Sequence, residues 1–183
     1  VSGVEVNAGS ATQVDFQLQP QDGQFAYRFT ASQIPNNNHD DEGNTKAVIG
    51  PPDNINYSIG KYGWCVLDMQ FPVADGPGPD IRIHEGDASP EGYTCYAGQT
   101  MDGPWFSLGA GTGTTEFDIA EGGIPDALFI KLVDDGDGTA NANDAGFDLD
   151  AIEVLEGASG VYLAMFEYEV DDSSGNNNGK IDP

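Results

Sequence analysis

Apolar and polar residues alternate with a period of two in several short runs of the chain. Val14, Phe16 and Leu18 alternate with Asp15, Gln17 and Gln19, and Phe25, Tyr27 and Phe29 repeat the pattern after the break at Pro20 and Gln21-Asp22-Gly23. A two-residue period puts one face of a strand on a core and the other in water. Further strands are expected near 63–71, 80–85, 92–97, 114–119, 127–133 and 147–155. A last strand is expected over 161–170, where Val161, Leu163, Met165 and Tyr168 keep no strict alternation, as in a bulged strand or one buried on both faces. Residues 35–45 contain no core former and are expected to be a loop. No segment carries a helical period. The 25 glycines and 11 prolines punctuate the chain every several residues, as in an all-β sandwich or barrel. Three parts are expected: an N-terminal β arm over 1–22, a sandwich over 23–157, and a C-terminal strand with an acidic Asn/Gly-rich tail over 158–183.

Charge changes this picture more than composition does. Among 183 residues, 31 are Asp or Glu and 6 are Lys or Arg, a net charge of −25. Aspartates outnumber glutamates by 21 to 10. Asp suits turns and is a hard-oxygen ligand for calcium in loops. Self-repulsion on this scale weakens a compact state unless cations offset it, so calcium is expected, with a merely acidic surface as the plain alternative. The charge argues against nucleic acid and anionic membranes as partners, and no stretch reaches the roughly 18 apolar residues of a membrane span. Val1 reads as the start of a mature or trimmed chain, and an extracellular or cell-surface location is expected. Cys65 and Cys95 lie in strand-like runs. In an exported protein a Cys65–Cys95 disulfide is the simple expectation, with two buried free thiols as the alternative. Asn56-Tyr57-Ser58 fits a glycosylation triplet.

Three segments carry calcium-type chemistry. Asp75-Gly76-Pro77-Gly78-Pro79-Asp80 is a tight loop with a carboxylate at either end, followed by a strand that finishes at Glu85. Asp134, Asp135 and Asp137 sit in a glycine-bent loop that continues through Asn141, Asn143 and Asp144, and Asp148 and Asp150 share one face of the next strand. Such carboxylates repel unless a cation bridges them. In the tail, Asn176, Asn178 and Asp182 occupy positions 3, 5 and 9 of an EF-hand-type loop whose twelfth position falls beyond Pro183. The plain alternatives are a hairpin loop with solvated acids, an acidic surface and a linker.

The order of Ala47-Val48-Ile49-Gly50-Pro51-Pro52-Asp53, Tyr57-Ser58-Ile59-Gly60, Gly63-Trp64-Cys65-Val66-Leu67-Asp68, the Asp75–Asp80 loop with Glu85, Phe106-Ser107-Leu108-Gly109, Phe117-Asp118-Ile119 and Ala145–Ala151 resembles a group of bacterial extracellular jelly-roll modules. These are similar to galactose-binding-like and carbohydrate-binding domains. The resemblance covers roughly 25–156. It implies a calcium-bearing jelly-roll sandwich with Asp75, Asp80, Glu85, Asp118, Asp134 and Asp148 as ligands. Residues 4–20 resemble the closing strand of a carboxypeptidase-regulatory-like β domain, and 170–183 resemble the linker that opens another surface module.

No nucleophile elbow, zinc-protease motif or phosphate loop is present. No acid stands in a notably apolar sequence setting of the kind that raises a pKa for acid catalysis. His84 is expected to point away from Ile81 and Ile83, into solvent. Trp105, after Gly103-Pro104, is the aromatic residue best placed for ligand stacking. The chain is therefore expected to be non-enzymatic. The first expectation is a calcium-stabilised structural subunit that assembles end to end with copies of itself by strand exchange through 12–19. The alternative is a carbohydrate-binding module of a secreted enzyme or adhesin.

Overall fold

A computed structural model describes residues 25–34, 44–137 and 146–155, all of which belong to one compact unit within 21–160. The N-terminal arm with its strand 12–19, most of the 35–45 loop, Asn141, Asn143, Asp144, the 161–170 strand and the tail with Asn176, Asn178 and Asp182 lie outside the described residues.

The all-β expectation holds. Among the described residues, nine strands form two antiparallel sheets. They are β1 (Arg28–Gln33), β2 (Tyr57–Ser58), β3 (Trp64–Ala74), β4 (Ile81–Glu85), β5 (Gly92–Gly98), β6 (Phe106–Thr112), β7 (Thr115–Phe117), β8 (Asp126–Asp134) and β9 (Asp148–Val154). One sheet runs β1-β3-β8-β5-β6 and the other β2-β9-β4-β7. Successive strands lie in different sheets at every connection except β5→β6, so neighbours in sequence face each other across the core. Its centre is Cys65, Leu67 and Met69 of β3, Ile81 and Ile83 of β4, Tyr93 and Cys95 of β5, Ile130 and Leu132 of β8, and Leu149 and Ile152 of β9. Tyr93 packs on Phe147 with ring centroids 4.1 Å apart. Gly146, at φ +134°, passes so close to Gly60 that an added Cβ would lie 2.3 Å from the Gly60 carbonyl carbon, so this strand entry accepts only glycine.

Four expectations are corrected. β6 was not expected as a strand, because Phe-Ser-Leu-Gly-Ala-Gly-Thr has little β propensity. It forms as an edge on β5, with a bulge between Cys95 and Tyr96. The 25–29 strand begins only at Arg28, with Phe25 in an isolated bridge to Glu153. The 114–119 strand divides into β7 and a 3₁₀ turn over Ile119–Gly122, capped by the Asp118 carboxylate, which accepts from Ala120 N. The fourth is the disulfide: Cys65 and Cys95 are free and buried. Both pair in register with Leu132, from opposite sides of β8. Two strand spacings of about 4.8 Å hold their Cα atoms roughly 9.6 Å apart, beyond the about 7 Å that a disulfide spans. Burial pushes the Cys65 thiol up to about 12.

Candidate functional site

The expected calcium ligands separate to opposite ends of the sandwich, because β4 lies between them. Five residues at about 3.3 Å each hold Asp80 and Glu85 apart. At the Asp80 end, oxygens of Asp75, Asp80 and Asp118 lie within 4.8 Å of one another. Here the backbone already occupies the buried acid. Asp80 accepts from Gly76 N (2.8 Å) through Oδ1 and from Ile119 N (2.8 Å) through Oδ2, stapling its loop to the 3₁₀ turn. Burial raises its carboxyl above the usual range, with the two N–H bonds opposing the shift.

The glycine-bent loop is also held by its own carboxylates. Asp134, buried at the end of β8, accepts from Tyr62 N and Gly136 N through Oδ1 and from Phe147 N through Oδ2, each at 2.8 Å. Asp135 accepts from Asp137 N (3.0 Å), and Asp137 from Gly92 N (2.8 Å). Asp150 accepts from Asp53 N (3.1 Å) and Asn54 N (3.0 Å). Asp148 is buried at the start of β9 and faces Ser58 in register. Asp–Gly loops thus close on themselves, with the short aspartate side chain reaching N–H groups two residues on.

At the other end, Glu85, Asp87 and Glu91 form a second group whose oxygens lie within 4.8 Å of one another. Only Glu85 was expected from the sequence. Asp87 and Glu91 were missed, although a signal exists for Glu91: counting back by twos from Cys95 and Tyr93 places it, one residue before β5, on the inward side. Glu91 is 5% exposed, and its Oε2 has no hydrogen-bond partner. Its amide donates to Glu85 Oε1 (3.2 Å), and its carbonyl accepts from Gly113 N (3.0 Å). Burial first, then the neighbouring Glu85, Asp87 and Asp134, push its carboxyl up to about 8, and burial raises Glu85 as well. This corrects the expectation that no acid sits in an apolar setting. Glu91 Oε2 is closed to solvent. His84 points away from Ile81 and Ile83 as expected, but its Nε2 meets Glu153 Oε2 at 2.9 Å in a network with Arg82 and Glu116.

The outer face of the five-stranded sheet carries a different arrangement. Lys131 on β8 places its Nζ 4.9 Å from the Trp64 ring centroid and 5.6 Å from that of Trp105. Tyr96 pairs with Lys131 in register and adds a third half-buried ring to the same face. Trp64 Nε1 donates to Gln33 Oε1 (3.1 Å). Trp105, half-buried, lies in a slot between two glycines. A Cβ on Gly98 would meet its ring at 3.0 Å, and one on Gly103 at 2.9 Å. Two indoles are thereby fixed on either side of a cation, each with a polar edge.

The sequence matches no known protein-family profile and no curated protein. Among solved structures the chain is similar to the CBM32 of AlyQ in complex with 4,5-unsaturated mannuronic acid, at 14% identity and a TM-score of 0.47 over 72% of this chain and 98% of that one. It is similar to chitosan-binding module 1 of a chitosanase/glucanase from Paenibacillus sp. IK-5, at 12% identity and a TM-score of 0.49 over 73% and 97%. It is also similar to a GH29 fucosidase of Ruminococcus gnavus, at 15% identity and a TM-score of 0.44, where 63% of this chain spans only 22% of the other. At these identities and scores the likeness is one of strand arrangement and extends to no function.

Proposed function

We propose that this chain is a non-catalytic, extracellular carbohydrate-binding module that holds neutral glycans against the outer face of its five-stranded sheet. The support is the Trp64–Lys131–Trp105 row, with Trp105 seated between Gly98 and Gly103. Indole rings lose little rotamer freedom on binding, present a flat apolar face to the C–H side of a pyranose, and keep polar edges for its hydroxyls. A net charge of −25 disfavours uronates and sulfated sugars, and neutral glycans are the ligand class this reading takes. The same class of function is implied by the jelly-roll resemblance of the sequence.

The test is calorimetric titration with a panel of neutral oligosaccharides. Trp105→Ala is expected to weaken binding about tenfold, or roughly 1.4 kcal/mol, while leaving the melting temperature within a few degrees. A folded wild-type protein that binds none of the panel, or a variant that binds as well as wild type, would sink the reading.

A further inference from the structure

The group Glu85, Asp87 and Glu91 shares no residue with the aromatic row. Three carboxylates converge within 4.8 Å at the mouth between the two sheets, over Tyr93. Among the described residues the ion pairs are those of Arg28, Arg82 and His84, and none reaches this group. Elsewhere in the fold the buried acids Asp80, Asp134 and Asp150 give both oxygens to backbone N–H groups. Glu91 does not. It is nearly as buried as they are, its Oε2 has no hydrogen-bond partner, and one of its carboxylate oxygens lies within 4.8 Å of those of Glu85 and Asp87.

We propose that Glu85, Asp87 and Glu91 are the carboxylate ligands of a divalent calcium ion that closes this end of the sandwich. The donor set is all oxygen, since His84 lies on the outer sheet face and both cysteines lie inside the core, and such a set selects a hard cation. Calcium binds oxygens at about 2.4 Å, so two ligands on opposite sides of one ion stand roughly 4.8 Å apart, the limit within which these three fall. Glu85 Oε1 and Asp87 Oδ1 each accept one backbone N–H, from Glu91 and Ser89, and their second oxygens remain available to a cation. A bound proton neutralises one carboxylate of the three. A divalent ion contacts all of them and offsets two charges. The site is separate from the aromatic row, so it stands or falls apart from the glycan reading.

The experiment is calcium titration of the chelator-stripped full chain by calorimetry, paired with thermal unfolding. Asp87→Asn is the main variant because Asp87 is exposed and tolerates substitution. Glu91→Gln is the second. Both are expected to lose one calcium equivalent, or to bind it at least tenfold more weakly, while Asp75→Asn keeps it. Calcium at a hundredfold excess over its Kd is expected to raise the wild-type Tm on the order of 5 °C, with at least half of that rise gone in each variant. Glu91→Gln is further expected to melt above wild type in chelator, because it replaces a buried acid with a neutral amide that carries no cost of ionisation or proton uptake on folding. Should Glu91→Gln fail to fold, Asp87→Asn decides. Wild-type protein that takes up no calcium, or an Asp87→Asn variant that titrates and melts as wild type does, overturns the assignment.

Discussion

Asp134→Asn isolates the difference between an acid that binds metal and an acid that holds the chain together. The wild-type carboxylate accepts three N–H groups at 2.8 Å and ties the turn before β3, the loop after β8 and the entry to β9 to one point. Asparagine keeps Oδ1 for Tyr62 N and Gly136 N but turns an NH₂ toward Phe147 N, so two donors face each other in a buried site. A charge-assisted bond lost together with an unsatisfied buried donor costs about 2–4 kcal/mol. For a domain of this size each kcal/mol lowers Tm by about 2–4 °C, so a fall of roughly 5–15 °C is expected. The assay is thermal unfolding by circular dichroism in excess chelator, with Asp135→Asn on the exposed side of the same loop as the control. That control is expected to change stability by less than about 1 kcal/mol. A fall in chelator no larger than the control's, with the deficit appearing only when calcium is present, would refute the reasoning and make Asp134 a metal ligand instead.

Two other measurements probe the buried groups. In chelator, the folded protein holds the Glu91 proton up to about pH 8, whereas an unfolded glutamate releases it near pH 4.5. The folded state therefore binds more protons across that window, and stability must fall as pH rises through it. Tm at pH 5.5 is expected to exceed Tm at pH 8.5, with Glu85, Asp80 and Asp134 shifted in the same direction, and a flat or opposite profile would contradict the burial. Cys65 and Cys95 are both fully buried and unpaired. A thiol reagent should find no reactive group in native protein and two after denaturation, and reductant should leave Tm unchanged. One disulfide per chain in denatured, unreduced protein would contradict the strand order.

Period-two alternation determined several strands by itself: β4, β5, β8 and β9 fall where Ile81/Ile83, Tyr93/Cys95, Ile130/Leu132 and Leu149 flank polar residues, and β3 falls on the apolar run Trp64-Cys65-Val66-Leu67. That information is local, because a strand's own sequence says which side chains share a face. The glycine-bent aspartate loops were legible for the same reason. What each aspartate does was not. Asp80 and Asp134 accept N–H groups from residues 39 and 13 positions away, Ile119 and Phe147, partners that no local pattern shows.

Three further outcomes belonged to the tertiary structure. β6 exists because β5 offers it an edge, which its own Gly- and Ala-rich sequence does not announce. Cys65 and Cys95 stay apart because β8 is inserted between their strands, and strand order follows from the packing of the whole sheet. Glu91 shows the division most clearly. The sequence places it on the inward side, one residue before β5, but only the opposing sheet, closing over Tyr93 and bringing Glu85 alongside, removes it from water. A residue's face is written in its neighbours along the chain. Its burial and its partners are set by segments distant in sequence, and those decide whether a carboxylate is a solvated charge, a backbone staple or one wall of a binding site.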